Sequence, residues 1–179
     1  HGYIWCLLSM AGSFSIEPGV LLLQTSSGSE ILVFETSKYG VGGLVVNRPT
    51  PILLGDIKIP KFQAFESNAL MMGRMLESET GNVAIGDMAP WFWIHNVDDL
   101  ADSSTRLEGA EDNIYLGGNI ERAAKLVQRK EVDPCCFKFF HKYTAWDFES
   151  LREELASGSI LNKGPATAEK VLQPYSLKF

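Results

Sequence analysis

The sequence predicts one α+β domain, built on a mostly antiparallel or mixed sheet with flanking helices. Strand-like apolar runs crowd the first half of the chain, and helical patterns lie between strands in the second half. No repeat or linker divides the 179 residues, and a chain of this length buries roughly 70% of its unfolded surface in one core. We expect a domain over residues 19–161, an N-terminal extension (1–18) and a tail (162–179) with few helix or strand signals.

The first half of the chain predicts a β-hairpin. Residues 19–24 and 31–35 are short apolar strands separated by a turn of small polar residues, and residues 44–46 return as a third strand. Gly42 and Gly43 lack side chains, so they allow a bulge or a close approach of another group to the backbone. We therefore expect tight packing against the third strand.

The middle of the chain carries weaker signals. Pro49 cannot donate a backbone hydrogen bond, so it is predicted to end the third strand. A short helix is predicted at residues 65–76, and two strands at 83–85 and 91–94. The acidic pair at 98–99 is predicted to leave the sheet as a turn or a short helix.

Clearer patterns follow in the second half. A helix is predicted from 119 to 129 and another from 147 to 157, because each starts at an Asn or Asp that can cap the free backbone N–H groups. Gly158 is predicted to end the second of these helices. Between them, residues 137–143 alternate as a strand, with odd-numbered and even-numbered residues on opposite faces.

The totals exclude several classes of function. The formal net charge is -6, and the sixteen Lys and Arg residues are scattered, whereas a DNA-binding face needs a basic stripe. A nucleic-acid partner is therefore disfavoured, and a protein partner with a basic or neutral surface is allowed. No apolar run approaches the ~20 residues that cross a bilayer. The three cysteines make no disulfide framework, which favours a reducing compartment.

The run Asn47-Arg48-Pro49 is a candidate corner with two interpretations. An Arg at a strand end can grip a carboxylate or phosphate, so the corner could bind a ligand. In the structural interpretation, which we favour, Asn47 hydrogen-bonds the turn and Arg48 pairs with a nearby carboxylate.

Aromatic side chains are dense around Trp91, Trp93, Tyr143 and Trp146. They could form a stacking platform for bases or a pigment, but such residues more often fill a core or anchor a protein interface. An aromatic N-terminal segment could also cover a partner. The interface candidates are Tyr3, Trp5, Leu8, Trp91, Trp93 and Trp146.

No catalytic or cofactor pattern occurs in the sequence. His95 and His141 lack metal-ligand spacing, and the chain has no nucleophile elbow, phosphate-binding loop or dinucleotide fingerprint. We therefore predict a protein that is not an enzyme and has no cofactor and no metal.

Two distant segments resemble one family. Residues 42–49 read GGLVVNRP and residues 139–146 read FFHKYTAW, and in this order they resemble the AlgH family (UPF0301-type). Residues 19–23 resemble its opening strand, and residues 114–118 resemble a Gly-Gly element of its plastid-type members. The resemblance implies an AlgH-like α+β fold over most of residues 19–161, in a divergent plastid-type member.

The chain departs from the family at several glycines. Family members usually show Gly-Tyr-small-Gly-Trp followed by Gly-Pro-Gly-Gln, whereas this chain has Lys142, Ala145 and Asp147 at glycine positions. Because glycines allow close backbone approach, their replacement is expected to fill or reshape whatever cleft they formed. The resemblance thus implies a scaffold that is kept for contact rather than chemistry.

These inferences lead to one preferred function and one alternative. We expect a non-catalytic interaction protein, an accessory subunit of a larger organellar complex on the stroma side of a plastid. Its partners would be proteins, with peripheral contact to a photosynthetic membrane complex and no transmembrane segment of its own. The alternative is a small-molecule-binding or transcription-related regulatory protein of the AlgH type.

Overall fold

The structure is a computed structural model that describes residues 16–74 and 91–173. Within these residues, the strands of both sheets are numbered β1 to β11 in chain order. One sheet (sheet A) contains five of them: β1 (Val20–Gln24), β2 (Ser29–Ser37), β3 (Gly40–Val45), β10 (Thr144–Trp146) and β11 (Ile160–Pro165). Their spatial order is β10-β3-β2-β1-β11, and each neighbouring pair is antiparallel. The predicted hairpin is therefore confirmed as the pair of β2 and β3.

The second sheet (sheet B) contains six strands in the described ranges: β4 (Pro49–Leu53), β5 (Ala69–Met72), β6 (Trp91–His95), β7 (Thr105–Arg106), β8 (Tyr115–Leu116) and β9 (Phe137–His141). Their order is β4-β5-β9-β6-β8-β7. The pair β5–β9 is parallel and the others are antiparallel, so the sheet is mixed.

Helices α1 to α4 and three short 3₁₀ turns connect these strands. The helices are α1 (Leu54–Ile57), α2 (Ile120–Gln128), α3 (Phe148–Ser157) and α4 (Ala168–Leu172), and the 3₁₀ turns are Pro60–Phe65, Asp98–Ser103 and Pro134–Cys136. The predicted caps are confirmed for the two longer helices: Asn119 caps α2, Asp147 caps α3, and Gly158 closes α3 in the left-handed conformation. Together with the two sheets, these helices confirm the α+β class.

Strand alternation separates the core into layers. Leu32 of β2 and Phe140 of β9 lie in one apolar cluster that contains residues of both sheets. Their chain neighbours Ile31 and Phe139 belong to two other clusters, one shared with Leu151 of α3 and one shared with α2. Successive side chains of a strand point to opposite faces, so the two sheets stack on each other with helices outside.

The helix predicted at residues 65–76 is wrong. Residues 60–65 form a 3₁₀ turn, and β5 follows within the predicted helix. Leu70 and Met71 are almost fully buried and face different apolar clusters, which requires a strand between two layers. The strand pairs with β9, a partner too distant along the chain for a local pattern to reveal.

Pro49 starts a new strand, whereas it was predicted to end the third one. Strand β3 ends at Val45, and Pro49 is the first residue of β4, which is an edge strand of sheet B. An edge strand tolerates a residue that cannot donate a backbone hydrogen bond, especially at its first position. The chain thus passes from sheet A to sheet B within residues 46–48.

The ends of the domain differ from the prediction. The proposed tail was expected to have few regular elements, but β11 runs across the predicted boundary at residue 161 to Pro165, and α4 follows it. Strand β11 pairs with β1, and Val171 of α4 is fully buried, so tertiary partners order a segment whose own pattern is weak. At the other end, Ile16 of the predicted extension is buried in the core. Residues 1–15, 83–85 and 174–179 lie outside the described residues.

The predicted strand at 137–143 is two residues shorter than expected. It ends at His141, because Lys142 adopts a left-handed backbone with φ of 64°. The chain turns there and enters β10, which crosses to sheet A.

Candidate functional site

The Asn47–Arg48 corner holds the turn between β1 and β2. The Asn47 Oδ1 atom accepts the Glu30 N–H at 2.9 Å, and Nδ2 donates to the Gly28 carbonyl at 2.8 Å. One side chain therefore satisfies a donor and an acceptor at the base of the turn. This confirms the structural interpretation of Asn47.

Arg48 also holds the turn between β1 and β2, but its hydrogen-bond partners differ from the predicted one. Its Nε donates to the Ser29 hydroxyl at 2.8 Å, and its Nη2 donates to the Ser27 carbonyl at 2.7 Å. Among the described residues, the guanidinium bonds to the backbone and a hydroxyl of the turn and not to the carboxylate that was predicted. The corner Asn47-Arg48-Pro49 thus joins the two sheets and anchors the turn.

The residues predicted to lie at an interface differ in how far they are buried. Trp146 is 7% exposed and packs in the cluster beneath α3, so it is a core residue rather than a surface contact. Gly43 makes room for it, since a Cβ there would lie 3.1 Å from the indole and 2.5 Å from Ile31. The predicted close approach at the glycine pair is therefore confirmed at Gly43.

Trp91 and Trp93 are half-buried on one face of β6. The Trp91 ring centroid lies 5.3 Å from that of Phe62 and 5.4 Å from that of His141, and Trp93 lies 6.4 Å from Phe139. Both indoles thus pack partly into the core and keep some surface. Tyr3, Trp5 and Leu8 lie outside the described residues.

A second aromatic cluster reaches the surface on the opposite face of β6. Phe34, Phe92 and Tyr143 form a triangle with ring-centroid distances of 5.1, 5.4 and 5.7 Å. Tyr143 is 41% exposed, and Phe92 is half-buried. Tyr143 was a candidate from the sequence, whereas Phe34 and Phe92 were not, because the triangle joins three segments that are distant in the chain.

His95 and Ser104 resemble a base and a nucleophile, but their hydrogen bonds exclude that chemistry. The Val97 N–H donates to His95 Nδ1 at 3.2 Å, so the ring proton sits on Nε2, which lies 3.0 Å from both the Gly117 carbonyl and Ser104 Oγ. The Ser104 hydroxyl itself donates to the Leu100 carbonyl at 2.8 Å. A protonated Nε2 cannot accept the hydroxyl proton, so the pair is structural.

His141 differs from His95 in having no polar partner. It is fully buried, and within the described structure neither ring nitrogen has a hydrogen-bond partner. Burial, aided by the charge of Lys142, holds the pKa of His141 below its usual value. Burial likewise lowers the pKa of His95, although the hydrogen bond to Gly117 opposes it. Both imidazoles are therefore neutral at pH 7.

The vicinal cysteines are not activated. Cys135 is exposed and Cys136 is half-buried. A side-chain hydrogen bond to Asp133, together with burial, raises the pKa of the Cys135 thiol to about 12. The thiol therefore stays protonated at neutral pH, whereas a nucleophilic cysteine needs a thiolate.

Lys138, which was not among the residues predicted from the sequence, is 7% exposed and lies in β9. Its Nζ donates to the Val46 carbonyl at 3.1 Å and thus connects sheet B to the end of β3. Burial lowers the pKa of Lys138 to about 8, opposed by the charge of Glu30. A single lysine within the apolar run FKFF was the available signal.

The three replaced glycines lie in different environments. Lys142 keeps a glycine-like backbone with φ of 64° although it carries a side chain. Ala145 is exposed, and Asp147 is exposed while its carboxylate caps α3. Since the side chains of Ala145 and Asp147 lie on the surface, the expectation that these substitutions fill or reshape a cleft stays a prediction.

The described residues contain neither a metal-binding cluster nor a membrane-spanning helix. Among residues 16–74 and 91–173, no group of three or more His, Cys, Asp or Glu side chains could hold a metal ion. No helix in the same ranges is long and apolar enough to cross a membrane.

Comparison with known proteins identifies relatives. The AlgH-like family model matches residues 22–175. A UPF0301 protein of Bacteroides thetaiotaomicron is 26% identical over 87% of this chain and 71% of the relative. A UPF0301 protein of Bacteroides fragilis is 24% identical over 78% of this chain, which spans only 64% of that relative.

Solved structures show the same fold. The crystal structure of protein DIP2367 from Corynebacterium diphtheriae is 18% identical with a TM-score of 0.65, covering 93% of this chain and 85% of that one. The solution structure of the AlgH protein from Pseudomonas aeruginosa is 15% identical with a TM-score of 0.60, covering 92% and 86%. At these identities the likeness establishes the fold.

Proposed function

Since the chain belongs to the AlgH-like family, we propose that it is a non-catalytic interaction protein, an accessory subunit of a larger organellar complex. The observation that carries this proposal is the surface aromatic cluster of Phe34, Phe92 and Tyr143. Aromatic side chains that keep exposed area are typical anchors of protein interfaces, because they bury a large apolar surface at small entropic cost.

The position of this cluster supports a docking role. Tyr143 immediately precedes β10, which is the outermost strand of sheet A among the described residues. The exposed ring of Tyr143 and the half-buried ring of Phe92 offer apolar area to a partner at this side of the sheet. The net charge of -6 favours a partner surface that is basic or neutral.

The chemistry of the candidate catalytic groups also supports a non-catalytic role. The proton on His95 Nε2 prevents it from acting as base toward Ser104. The Cys135 thiol, with its pKa raised to about 12, supplies no thiolate at neutral pH. Neither group therefore offers an activated nucleophile in the described structure.

We further propose the stroma side of a plastid as the compartment and a photosynthetic membrane complex as the assembly. This setting rests on the resemblance of residues 114–118 to plastid-type members of the family. The cysteine content, with no disulfide framework, supports a reducing compartment.

The alternative, a small-molecule-binding or transcription-related regulatory protein of the AlgH type, has less support at the Asn47–Arg48 corner. Both side chains already hold the turn at residues 25–28 through four hydrogen bonds. A ligand would have to break these bonds to reach the same polar atoms.

Native fractionation tests the proposal. The protein, isolated from its source organelle without detergent denaturation, should co-migrate with a larger complex. Tyr143→Lys should shift it to the free fraction, because a charge replaces an exposed ring of the aromatic cluster. Tyr39→Lys is the matched control, since Tyr39 is 79% exposed and takes no part in that cluster.

The outcomes test the accessory-subunit function and the docking surface separately. Wild-type protein found only as free monomer would overturn the accessory-subunit function. Wild-type and Tyr143→Lys protein that remain equally bound would keep the function but refute the docking surface. Circular dichroism of both variants checks that the fold is retained.

A further inference from the structure

A 3₁₀ turn places two neighbouring thiols at the surface. The turn spans Pro134–Cys136, and both cysteines lie at its end, directly before β9. Cys135 is exposed, whereas Cys136 is half-buried and packs against the apolar cluster beneath α2. Both are free cysteines. The turn therefore presents a pair of adjacent thiols, which the proposed docking surface at Tyr143 does not use.

Hydrogen bonds on both sides of the turn hold its backbone in place. Asp133 Oδ1 accepts the Cys135 N–H at 2.8 Å, and the Asp133 carbonyl accepts the Cys136 N–H at 3.0 Å. From β5 the Asn68 amide donates to the carbonyls of the first turn residue and of the residue after the turn, both at 2.9 Å. Because these bonds fix the backbone, the two thiols need little reordering to bind one ligand together.

The exposed thiol borders a small cleft beside the end of α4. The described residues that line the cleft include Ser67, Asp133, Cys135 and Gln173, and its volume is about 180 Å³. This volume is well below the several hundred Å³ of sites for drug-sized ligands, but it leaves room for a small organic group. A ligand that is held by the two thiols can therefore place its organic part in the cleft.

The protonation of Cys135 limits the chemistry that the pair can support. A hydrogen bond to the Asp133 carboxylate, burial and the neighbouring Cys136 raise the pKa of the Cys135 thiol to about 12. The contribution of Cys136 also means that the two thiols lie near each other. At neutral pH a protonated thiol disfavours alkylation and disulfide exchange, because both reactions need a thiolate. A ligand that consumes the thiol together with its proton is favoured instead.

The number of available side chains narrows the choice further. A structural zinc ion takes four protein ligands, whereas among residues 16–74 and 91–173 no group of three or more His, Cys, Asp or Glu side chains could hold a metal ion. A trivalent arsenic compound with one organic group needs only two sulfur atoms from the protein. Sulfur is a soft ligand that suits such a thiophilic centre, and adjacent thiols close a ring around it.

We propose that Cys135 and Cys136 form a binding site for organic compounds of trivalent arsenic, which bridge the two sulfur atoms and place their organic group in the cleft. The pinned turn, the exposure of Cys135 and the adjoining cleft support this assignment. The site is independent of the accessory-subunit function.

The reaction is a condensation without oxidation or reduction, because arsenic remains trivalent. In water the ligand carries one organic group and two As–OH groups. The Cys135 sulfur forms a bond to arsenic, and one hydroxyl group leaves with the thiol proton as water. The Cys136 sulfur then forms the second As–S bond and releases a second water molecule. Hydrolysis reverses each step, so the site binds its ligand without turnover.

Capture of phenylarsine oxide by the full chain tests this site. The third cysteine of the sequence, Cys6, lies outside the described residues, so Cys6→Ser is the parent of all variants. Mass spectrometry of the parent should show one phenylarsenic group per chain, and peptide mapping should locate it at Cys135 and Cys136. Dimercaptopropanol, a dithiol, should remove the group, whereas the same concentration of a monothiol should not.

Cys135→Ser and Cys136→Ser are matched variants, because each keeps one thiol and replaces a single sulfur atom by oxygen. Each should weaken the binding of phenylarsine oxide by about 10²- to 10⁴-fold, since the second As–S bond forms within the molecule only when both thiols are present. Circular dichroism of both variants checks that the fold is retained.

Equal binding by the parent and by both single-thiol variants would overturn the proposal. A phenylarsenic group mapped to other residues of the parent, or no capture at a large molar excess, would do so as well. Since stoichiometry and mapping use the parent with both thiols intact, a folding defect of a variant would leave them decisive. Native fractionation of Tyr143→Lys does not involve these thiols, so this site and the proposed function fail separately.

Discussion

Replacing His141 by leucine should stabilise the protein, although the substitution lies in the core. His141 is fully buried, and in the described structure neither ring nitrogen has a hydrogen-bond partner. A buried donor or acceptor without a partner costs about 1–3 kcal/mol, and a neutral imidazole has one of each. Leucine has a similar volume and no polar atom, so the variant removes both penalties.

The opposing terms are smaller. The ring contact with Trp91, at 5.4 Å between centroids, contributes about 0.5–1.5 kcal/mol, and a change of shape in the core costs less than about 1.5 kcal/mol. The net expected effect is an increase of about 1–2 kcal/mol in the free energy of unfolding. For a chain of this size, that corresponds to a rise in Tm of about 2–8 °C.

Urea and thermal unfolding measure this effect, and His95→Leu is the matched control. His95 is equally buried, but its nitrogens bond to Val97 and Gly117, so its removal leaves the Val97 N–H without this acceptor and takes one donor from the Gly117 carbonyl. We expect His95→Leu to destabilise the protein by about 2–4 kcal/mol. A destabilisation of more than about 1 kcal/mol by His141→Leu would show that its nitrogens are satisfied, and would refute the reasoning.

The same residue predicts a pH dependence. The pKa of His141 is lowered in the folded state, so the unfolded chain binds a proton first as the pH falls. Stability is therefore complete above the unfolded pKa of about 6.5 and is lost as the pH drops toward the folded pKa, at up to about 1.4 kcal/mol per pH unit. His141→Leu should reduce this slope between pH 6.5 and 5 but leave the contribution of His95. An unchanged slope would show that His141 titrates normally.

Two further substitutions test the corner and the turn. Asn47→Ala should lower the free energy of unfolding by about 1–3 kcal/mol in urea denaturation, because the Glu30 N–H and the Gly28 carbonyl lose their partner. A loss below about 0.5 kcal/mol would mean that water replaces both bonds. Lys142→Gly should raise the free energy of unfolding by about 0.5–1 kcal/mol, because glycine adopts the left-handed conformation without strain. Lys142→Ala should not raise it, and equal effects of the two substitutions would argue against backbone strain at this residue.

Much of the fold follows from local patterns. The strands β1, β2, β6 and β9 and the helices α2 and α3 overlap the ranges that apolar runs, alternation and capping residues predict, whereas β3 begins four residues before its predicted range. Asn119 and Asp147 act within three residues of the sequence, so their hydrogen bonds can be inferred without a tertiary structure.

The wrong predictions concern strands whose pairing partners are distant in the chain. Strand β5 was predicted as part of a helix because its pairing with β9 joins residues nearly seventy positions apart, as in the register Leu70–Phe139. Strand β11 was predicted to lie in a tail because its partner β1 is at the other end of the chain. Local propensity cannot report a ladder whose second strand is remote.

The residues of the candidate site also differ in whether local patterns or distant contacts determine their roles. The sequence by itself determined the α+β class, the hairpin and the helix caps, because each depends on patterns that are local in the chain. It favoured the structural role of Asn47, but the partners of that side chain lie 17 and 19 positions away, so the tertiary structure was needed to establish it. Only the tertiary structure decided that Trp146 is in the core, that Phe34 and Phe92 join Tyr143 at the surface, and that Lys138 and His141 are buried polar groups. The exposure of a side chain and the pKa of an amine depend on what other segments place around it, and stacking two sheets fixes those surroundings.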